Sequence, residues 1–200
     1  NPNNPTGNFL LYPEVRAFLE TVPKDVVVVL DEAYNEYIPP AVRADTAEWI
    51  KDFPNLVITR TFSKIFGLAG LRVGYALASA EIADLMNRVR QPFNVNNLAI
   101  AAAIAALDDH AFVAESYELN RRGMEQIIAG LKHLGLEHIP SHGNFITFKA
   151  GDGAAVNQKL LKQGVIVRPI GGYGLPEWLR VTIGKEPENT RFLEALEKAL

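Results

Sequence analysis

The sequence contains no cysteine among its 200 residues, which excludes disulfide bonds and thiolate metal sites. It also lacks a dominant charge, because the formal net charge is only -3 and 22% of the residues are charged. Without a basic stripe or an acidic tail, nucleic acid and anionic membrane surfaces are not expected partners. No apolar run reaches the roughly 18 residues of a membrane span, and no signal-peptide pattern opens the chain. We therefore predict a cytoplasmic protein whose partners are small molecules.

The histidines show no spacing typical of metal ligands, so no metal site is predicted. They are His110, His133, His138 and His142. Apolar residues make up 48% of the sequence, which is enough for a core in one large domain or two small ones.

The first seven residues, NPNNPTG, contain two Asn-Pro pairs and a final glycine. This is turn chemistry that needs no function by itself. The chain opens inside this turn and without an initiator methionine. We therefore expect it to be part of a longer protein.

A polar, cation-bearing stretch from Thr59 to Arg72 lies between two runs of strand composition, so it would form a loop at a sheet edge. Thr61 and Ser63 can donate hydrogen bonds to phosphate oxygens, and Arg72 can add a bidentate contact. Lys64 can supply an amine for a Schiff base. The stretch therefore suits an anionic cofactor with an electrophilic carbonyl group.

The run Val26 to Leu30 consists of five consecutive β-branched or leucine residues. It predicts a strand buried on both faces, as in the parallel sheets of α/β proteins. Ligands bind beyond the carboxyl ends of such strands, where Asp31 falls, with Tyr34 three residues further on. An alternative from these residues alone is that Asp31 caps the following turn and Tyr34 packs. Glu32 and Glu36 are expected to be solvated.

Together these motifs resemble the pyridoxal-phosphate (PLP) aminotransferases of the aspartate-aminotransferase fold. The shared order is Asp-Glu-Ala-Tyr after a valine strand, Thr-Phe-Ser-Lys about thirty residues later, and then Gly-Leu-Ala-Gly-Leu-Arg. In this family the lysine that bonds to PLP is followed eight residues later by a phosphate-binding arginine, as Lys64 is by Arg72. The resemblance covers nearly the whole chain and implies PLP as the cofactor.

The resemblance also implies roles for individual residues. Asp31 would pair with the protonated pyridine nitrogen and keep the ring an electron sink, and Tyr34 would hydrogen-bond its O3′. The asparagine before the proline of the Asn-Pro-Thr-Gly turn contacts the same phenolic oxygen, a role that falls to Asn4. Lys64 would also act as general base for the α-proton. Because a proline at this turn follows a cis bond in some members, a cis Asn4–Pro5 bond is an alternative to the usual trans bond.

Two arginines in the last third of the chain are candidate substrate ligands. Arg180 lies within an apolar strand sequence, where an unpaired charge would be costly, and Arg168 precedes Pro169. The resemblance implies that Arg180 binds the substrate α-carboxylate bidentately, and Arg168 is a second substrate-binding candidate. A salt bridge inside the protein is the alternative for both.

The predicted fold class is α/β. Residues 1–110 would form the remainder of the PLP-binding large domain, a mostly parallel sheet with helices. Residues 111–200 would form a bridging helix, which begins near His110, and a small α+β domain. The other predicted elements are helices near 13–21, 80–90, 98–107 (capped by Asn97), 154–163 and 187–200, and strands near 144–149, 165–168 and 178–183.

Within the family, the chain is most similar to histidinol-phosphate aminotransferases, on its NPNNPTG turn and its VRPIGGYGLP run. The implied reaction moves an amino group between histidinol phosphate and 2-oxoglutarate in histidine biosynthesis, in a homodimer. Alternatives are an aromatic or other amino-acid aminotransferase, a threonine-phosphate decarboxylase of the same fold, or a non-catalytic PLP-fold sensor module. The chain alone is expected to be inactive and to associate through uncovered sheet edges and faces.

Overall fold

The computed structural model of the protein describes all residues from 1 to 200. The chain divides into two compact units. The first contains Asn1 and Leu10–Ala114, and the second contains Pro2–Phe9 and Glu115–Leu200. This division follows the internal contacts of the chain, and the domain limits 1–110 and 111–200 stay a prediction.

The first unit is built on a three-stranded sheet with the order β1-β2-β3. Strands β1 and β2 run parallel, whereas β2 and β3 run antiparallel. The connection between β2 and β3 is the loop that contains Lys64, with one short 3-10 helix at Ala69–Leu71. The helices and strands of this unit are α1 (Tyr12–Thr21), β1 (Val28–Asp31), β2 (Leu56–Thr61), β3 (Gly74–Leu77), α2 (Ala80–Val89), α3 (Asn97–Asp108) and the first turn of α4 (His110–His133).

The prediction that the valine strand is buried on both faces is wrong. The strand begins only at Val28, and Val26 and Val27, which precede it, are exposed. Within the strand, Val28 and Leu30 pack against a small cluster, while Val29 on the other face is 60% exposed. β1 has one neighbouring strand, and no element of this chain covers its second face. A valine run indicates a strand but does not determine how many of its faces are covered.

The start of α3 differs from the prediction by one residue. The Asn96 side chain, not that of Asn97, accepts a hydrogen bond from the backbone N–H of Ala99 at 2.8 Å. Either asparagine could cap the helix. Asn96 does so because it lies three residues before Ala99, whose backbone N–H has no partner within the helix.

The second unit contains a four-stranded sheet with the order β4-β5-β7-β6, in which every pairing is antiparallel. The predicted strand 165–168 is wrong for its first three residues. Val165 instead donates its backbone N–H to the Leu160 carbonyl at 3.0 Å, which closes the preceding helix after Gly164 (φ +74°). Besides the rest of α4, the elements are β4 (His138–Ile139), β5 (Phe145–Lys149), α5 (Gly153–Lys162), β6 (Arg168–Pro169), β7 (Trp178–Thr182) and α6 (Glu186–Ala199).

The core of the second unit lies between this sheet and its helices. Phe148, Leu179 and Leu196 are completely buried there. α4 contributes the fully buried Ile127 and Leu131, which lie on one stripe of the helix. A large continuous core of this kind explains why the unit is compact by itself.

The N-terminal segment 2–9 belongs to the second unit. The hydroxyl of Thr147 on β5 donates to the Pro5 carbonyl at 2.5 Å, and the backbone N–H of His142 donates to the Gly7 carbonyl at 2.8 Å. The Asn4–Pro5 peptide bond is cis, the less common of the two forms considered from the sequence.

None of the helices alone combines the length and apolar character of a membrane span. Only α3 and α4 taken together, which meet at a bend of 78°, would pass on length and composition.

Candidate active site

Asp31 ends β1 and places a carboxylate at the carboxyl end of a parallel strand. Its Oδ1 accepts a hydrogen bond from the backbone N–H of Ala33 at 2.9 Å, as the capping alternative predicts. Its Oδ2 has no hydrogen-bond partner in the chain, and the residue is exposed. One oxygen therefore fixes the turn while the other is available to a ligand. The two interpretations of Asp31 are compatible.

Lys64 follows β2 by three residues and is only partly exposed. Its Nζ lies 5.1 Å from the centroid of the Tyr34 ring, a cation–π distance, and forms no salt bridge with a carboxylate. Tyr34 itself is 5% exposed, so its ring is a fixed surface. The structure thus brings together the amine and the phenol predicted from two separate motifs. An amine held by a ring rather than by a carboxylate keeps its nitrogen available for covalent chemistry.

Thr61, Ser63 and Arg72 line one shallow pocket of about 410 Å³. The Thr61 Oγ1 accepts a hydrogen bond from the backbone N–H of Ser63 at 3.0 Å, which shapes the turn after β2. Its hydroxyl proton can still be donated outward. The pocket lies at the end of the β2–β3 pair, where Thr61 is the cross-strand partner of Gly74.

Arg72 adopts a left-handed backbone conformation (φ 54°, ψ 51°). Such a conformation is unfavourable for a non-glycine residue and is concentrated at functional sites. Its Nη1 donates to the Ala69 carbonyl at 2.9 Å, so part of the guanidinium is engaged and part is open to the pocket. The strained backbone at Arg72 is compatible with a turn that directs its guanidinium towards a bound anion.

The donor set fits the cofactor that the resemblance implies. Two hydroxyls and a guanidinium around one pocket suit a phosphate group. A carboxylate with an open oxygen suits a protonated ring nitrogen, and an unpaired amine suits an aldehyde. All of these residues belong to the first unit.

The second unit contains the other predicted residues. Arg180 on β7 donates from Nη1 to the Asn4 side-chain oxygen, and its guanidinium lies 4.8 Å from the centroid of the Phe145 ring. Arg168 on β6 is its direct cross-strand partner. Neither arginine forms a salt bridge, so the alternative of an internal ion pair is not seen. Two like charges opposite each other on one sheet face are unfavourable until an anion lies between them.

Sequence reasoning missed a buried charged cluster beside Asp31. Glu32 was expected to be solvated, but it is 1% exposed and this expectation is wrong. Its Oε2 accepts from Nε of Arg60 at 2.8 Å, and its Oε1 accepts from the hydroxyl of Thr46 at 2.6 Å. Glu36 is also half-buried, and burial raises the pKa of its carboxyl. The one indication in the sequence was Arg60, which lies inside the strand run 56–61, where a charged side chain needs an acidic partner.

Comparison with known proteins bears directly on these motifs. The family "Aminotransferase class I and II" matches residues 1–196 of the chain. The chain belongs to this family. The resemblance seen in the lysine loop and the Asp-Glu-Ala-Tyr motif is therefore confirmed at the level of the family and of the fold.

Individual members of the aminotransferase family show how far the likeness extends. The chain is 90% identical to a histidinol-phosphate aminotransferase of Dechloromonas aromatica and 61% identical to one of Thiobacillus denitrificans, in both cases over its full length. It covers 55% and 52% of those two proteins. The crystal structure of histidinol-phosphate aminotransferase from Sinorhizobium meliloti in complex with pyridoxal-5'-phosphate superposes with a TM-score of 0.93 at 31% identity, covering 100% of this chain and 55% of that one. The chain thus spans about half the length of the curated relatives that it matches.

Proposed function

We propose that the whole protein is a PLP-dependent aminotransferase that moves an amino group between histidinol phosphate and 2-oxoglutarate. The observation that carries the proposal is the first-unit site, where the unpaired amine of Lys64 lies over Tyr34 and three anion donors surround one pocket. The names of the relatives at 90% and 61% identity support the choice of histidinol phosphate within the family.

Each residue of the first unit then has a task. Thr61, Ser63 and Arg72 bind the phosphate of PLP through charge-assisted hydrogen bonds. The open oxygen of Asp31 accepts a hydrogen bond from the pyridine nitrogen and keeps it protonated. The bound cofactor supplies an electron-poor ring that accepts the electron pair released when the substrate loses its α-proton. Nζ of Lys64 would take that α-proton from the substrate and pass it to the cofactor within the same half of the reaction.

The arginines of the second unit bind the anionic group of the substrate. Histidinol phosphate has a phosphate but no carboxylate, whereas 2-oxoglutarate has two carboxylates. A cross-strand pair of arginines without protein carboxylate partners, Arg168 and Arg180, suits either anion. Asn4 is assigned to the phenolic oxygen of PLP. Its side-chain oxygen accepts a hydrogen bond from Arg180.

Two further parts of the proposal concern the whole protein. We infer a homodimer located in the cytoplasm. The support for the location is the lack of cysteine, together with the small, polar substrates of the proposed reaction. Support for the dimer comes from the family resemblance, and sedimentation of the whole protein tests it.

Borohydride reduction tests the assignment of the lysine. The whole protein is loaded with PLP, reduced and digested, and the label is expected on the peptide that contains Lys64. Lys64→Ala should abolish the label, whereas the control Lys51→Ala, at an exposed lysine paired only with Glu48, should leave it intact. A label on another lysine contradicts the assignment.

Substrate assays test the reaction. Glutamate formation from histidinol phosphate and 2-oxoglutarate is the expected result. Faster turnover of an aromatic amino acid would favour the broader aminotransferase function, and release of carbon dioxide from threonine phosphate would favour the decarboxylase. PLP binding without turnover of any of these would favour the sensor module.

A further inference from the structure

The buried cluster of Glu32, Arg60 and Thr46 joins the two strand ends that carry the candidate active site. Glu32 directly follows Asp31, and Arg60 directly precedes Thr61. The ladder between β1 and β2 continues through this point, because the backbone N–H of Glu32 donates to the Thr59 carbonyl at 2.9 Å. Asp31 and the loop that begins at Thr61 are thus adjacent in sequence to the two members of the Glu32–Arg60 ion pair.

The cluster is closed by hydrogen bonds on all three sides. The Glu32 carboxylate accepts from Arg60 at 2.8 Å and from Thr46 at 2.6 Å, and Nη2 of Arg60 donates to the Thr46 hydroxyl at 3.2 Å. Thr46 is fully buried, and 18% of the Arg60 side chain is exposed. Burial works against the charge of Arg60, but its interactions with Glu32 and, to a smaller extent, with Tyr75 outweigh burial and raise the pKa of Arg60. Both oxygens of the carboxylate are satisfied, so the geometry has little freedom to change.

Such a pair is a poor source of stability. Desolvation of two charges cancels much of their attraction, and buried ion pairs can often be replaced by apolar residues without loss of stability. What a closed triangle of directional bonds does supply is a defined distance and angle between the elements that it joins. Here the elements are the end of β1, the end of β2 and the 3-10 helix Thr46–Lys51.

We propose that Glu32, Arg60 and Thr46 are positioning residues that hold Asp31 and the Thr61–Lys64 turn in the relative placement that PLP requires. They act through their chain neighbours and need not touch the cofactor. Arg60 does line the pocket that contains Thr61, Ser63 and Arg72, but its guanidinium is bonded to Glu32 and Thr46. The proposal rests on the proposed function, because it concerns the site assigned to PLP.

The test uses the whole PLP-loaded protein and a double variant, Glu32→Leu with Arg60→Met. It removes both charges together, so no charge is left unpaired, and the neutral Thr46 hydroxyl is the group that loses its partners. We expect a melting temperature within about 5 °C of the wild type. PLP affinity and kcat should each fall at least about tenfold, because small displacements of a site have large effects on rate. The visible circular dichroism of bound PLP should weaken, while KM for the amino donor changes little. A purely structural role would move the melting temperature instead.

The matched control is the exposed ion pair of the same unit, Arg16 and Asp52, whose Nη2 and Oδ2 atoms are 2.8 Å apart. The control double variant, Arg16→Met with Asp52→Leu, should leave PLP affinity, circular dichroism and kcat unchanged. Equal loss in both double variants would overturn the proposal, as would wild-type behaviour of a folded Glu32→Leu/Arg60→Met protein.

If that double variant does not fold, Thr46→Val decides the question, since it removes the hydroxyl that bridges the pair at nearly constant volume. Weaker PLP binding and dichroism in Thr46→Val, with recovery in Thr46→Ser, supports the positioning role, and wild-type values in Thr46→Val refute it. Failure of the proposed function is separately visible. In that case the wild-type protein itself binds no PLP at Lys64, and the positioning role falls with it.

Discussion

β1 in the first unit leaves Val29 60% exposed, whereas β5 in the second unit buries Phe145, Ile146 and Phe148 to 2% or less. The two strands are similarly rich in apolar residues. They differ in their surroundings, because β5 has a neighbouring strand on each side and lies against the main core, while β1 has one neighbour. Apolar composition therefore predicts a strand, and the packed neighbours decide its burial.

The two units also differ in which polar groups they bury. The buried polar residues of the second unit carry no charge, as with Asn189, which accepts from the Gly184 N–H at 2.9 Å. The first unit buries a charged pair, Glu32 and Arg60, and holds a strained arginine, Arg72. Strain and buried charge are costs that a fold carries where function requires a fixed arrangement. The candidate cofactor residues lie in that unit.

The largest effect is expected at Asp31 in the candidate active site of the first unit. In the whole protein, Asp31→Ala should reduce transamination at least about a hundredfold, because the ring nitrogen loses the charge that stabilises the developing carbanion. The fold should persist, since Asp31 is exposed and its structural bond is one turn contact. Steady-state assays and far-UV circular dichroism measure the two outcomes. Full activity in the variant would contradict the role.

The second prediction tests the difference in packing. Phe148→Ala should lower the free energy of unfolding by about 3–5 kcal/mol, because it leaves a cavity in the closed core of the second unit. Its counterpart Val29→Ala in the first unit should change that free energy by less than about 0.5 kcal/mol in this chain, because the side chain is exposed. Denaturant unfolding of the 200-residue chain measures both. Similar losses at the two positions would show that the face of β1 is covered, for example by self-association.

The third prediction separates the tasks of the two units. Arg180→Ala in the whole protein should weaken substrate binding by about 2–5 kcal/mol while PLP binding is retained, since a charged partner of the substrate anion is removed. The exposed Arg168 provides the comparison, and Arg168→Ala should have a smaller effect. Isothermal titration with substrate analogues and PLP titration distinguish these outcomes. Lost PLP binding with unchanged substrate affinity would reverse the assignment of Arg180.

Local chain properties made much of the fold predictable. Helix α4 begins at His110, as the sequence predicted, and ends at His133. The lysine loop was found because all of its functional groups lie within fourteen residues of sequence, Thr59–Arg72. Contacts of this kind depend on spacing along one segment, which the sequence states directly.

Long-range contacts were less accessible. The expectation that Glu32 is solvated was wrong because its partners, Thr46 and Arg60, are 14 and 28 residues away in the chain. The strand at 165–168 was overestimated because Val165 is used to close α5. For Glu32, packing against distant segments selected the buried state. For Val165 the contact is local, because the left-handed turn at Gly164 directs its N–H back to the end of the helix.

By itself, the sequence determined the family, most of the helices and strands and the residues that carry the candidate chemistry. Only the tertiary structure decided that Asn4 is hydrogen-bonded to Arg180 in the second unit and that Arg168 lies opposite Arg180 on the neighbouring strand. It also decided that Glu32 is buried in an ion pair with Arg60. The physical reason is that residue type and spacing set which bonds a side chain can make. Which partner it actually bonds depends on how distant segments of the chain fold together. A buried charge or a strand edge is stable only where another segment supplies an opposite charge or a hydrogen-bonding group.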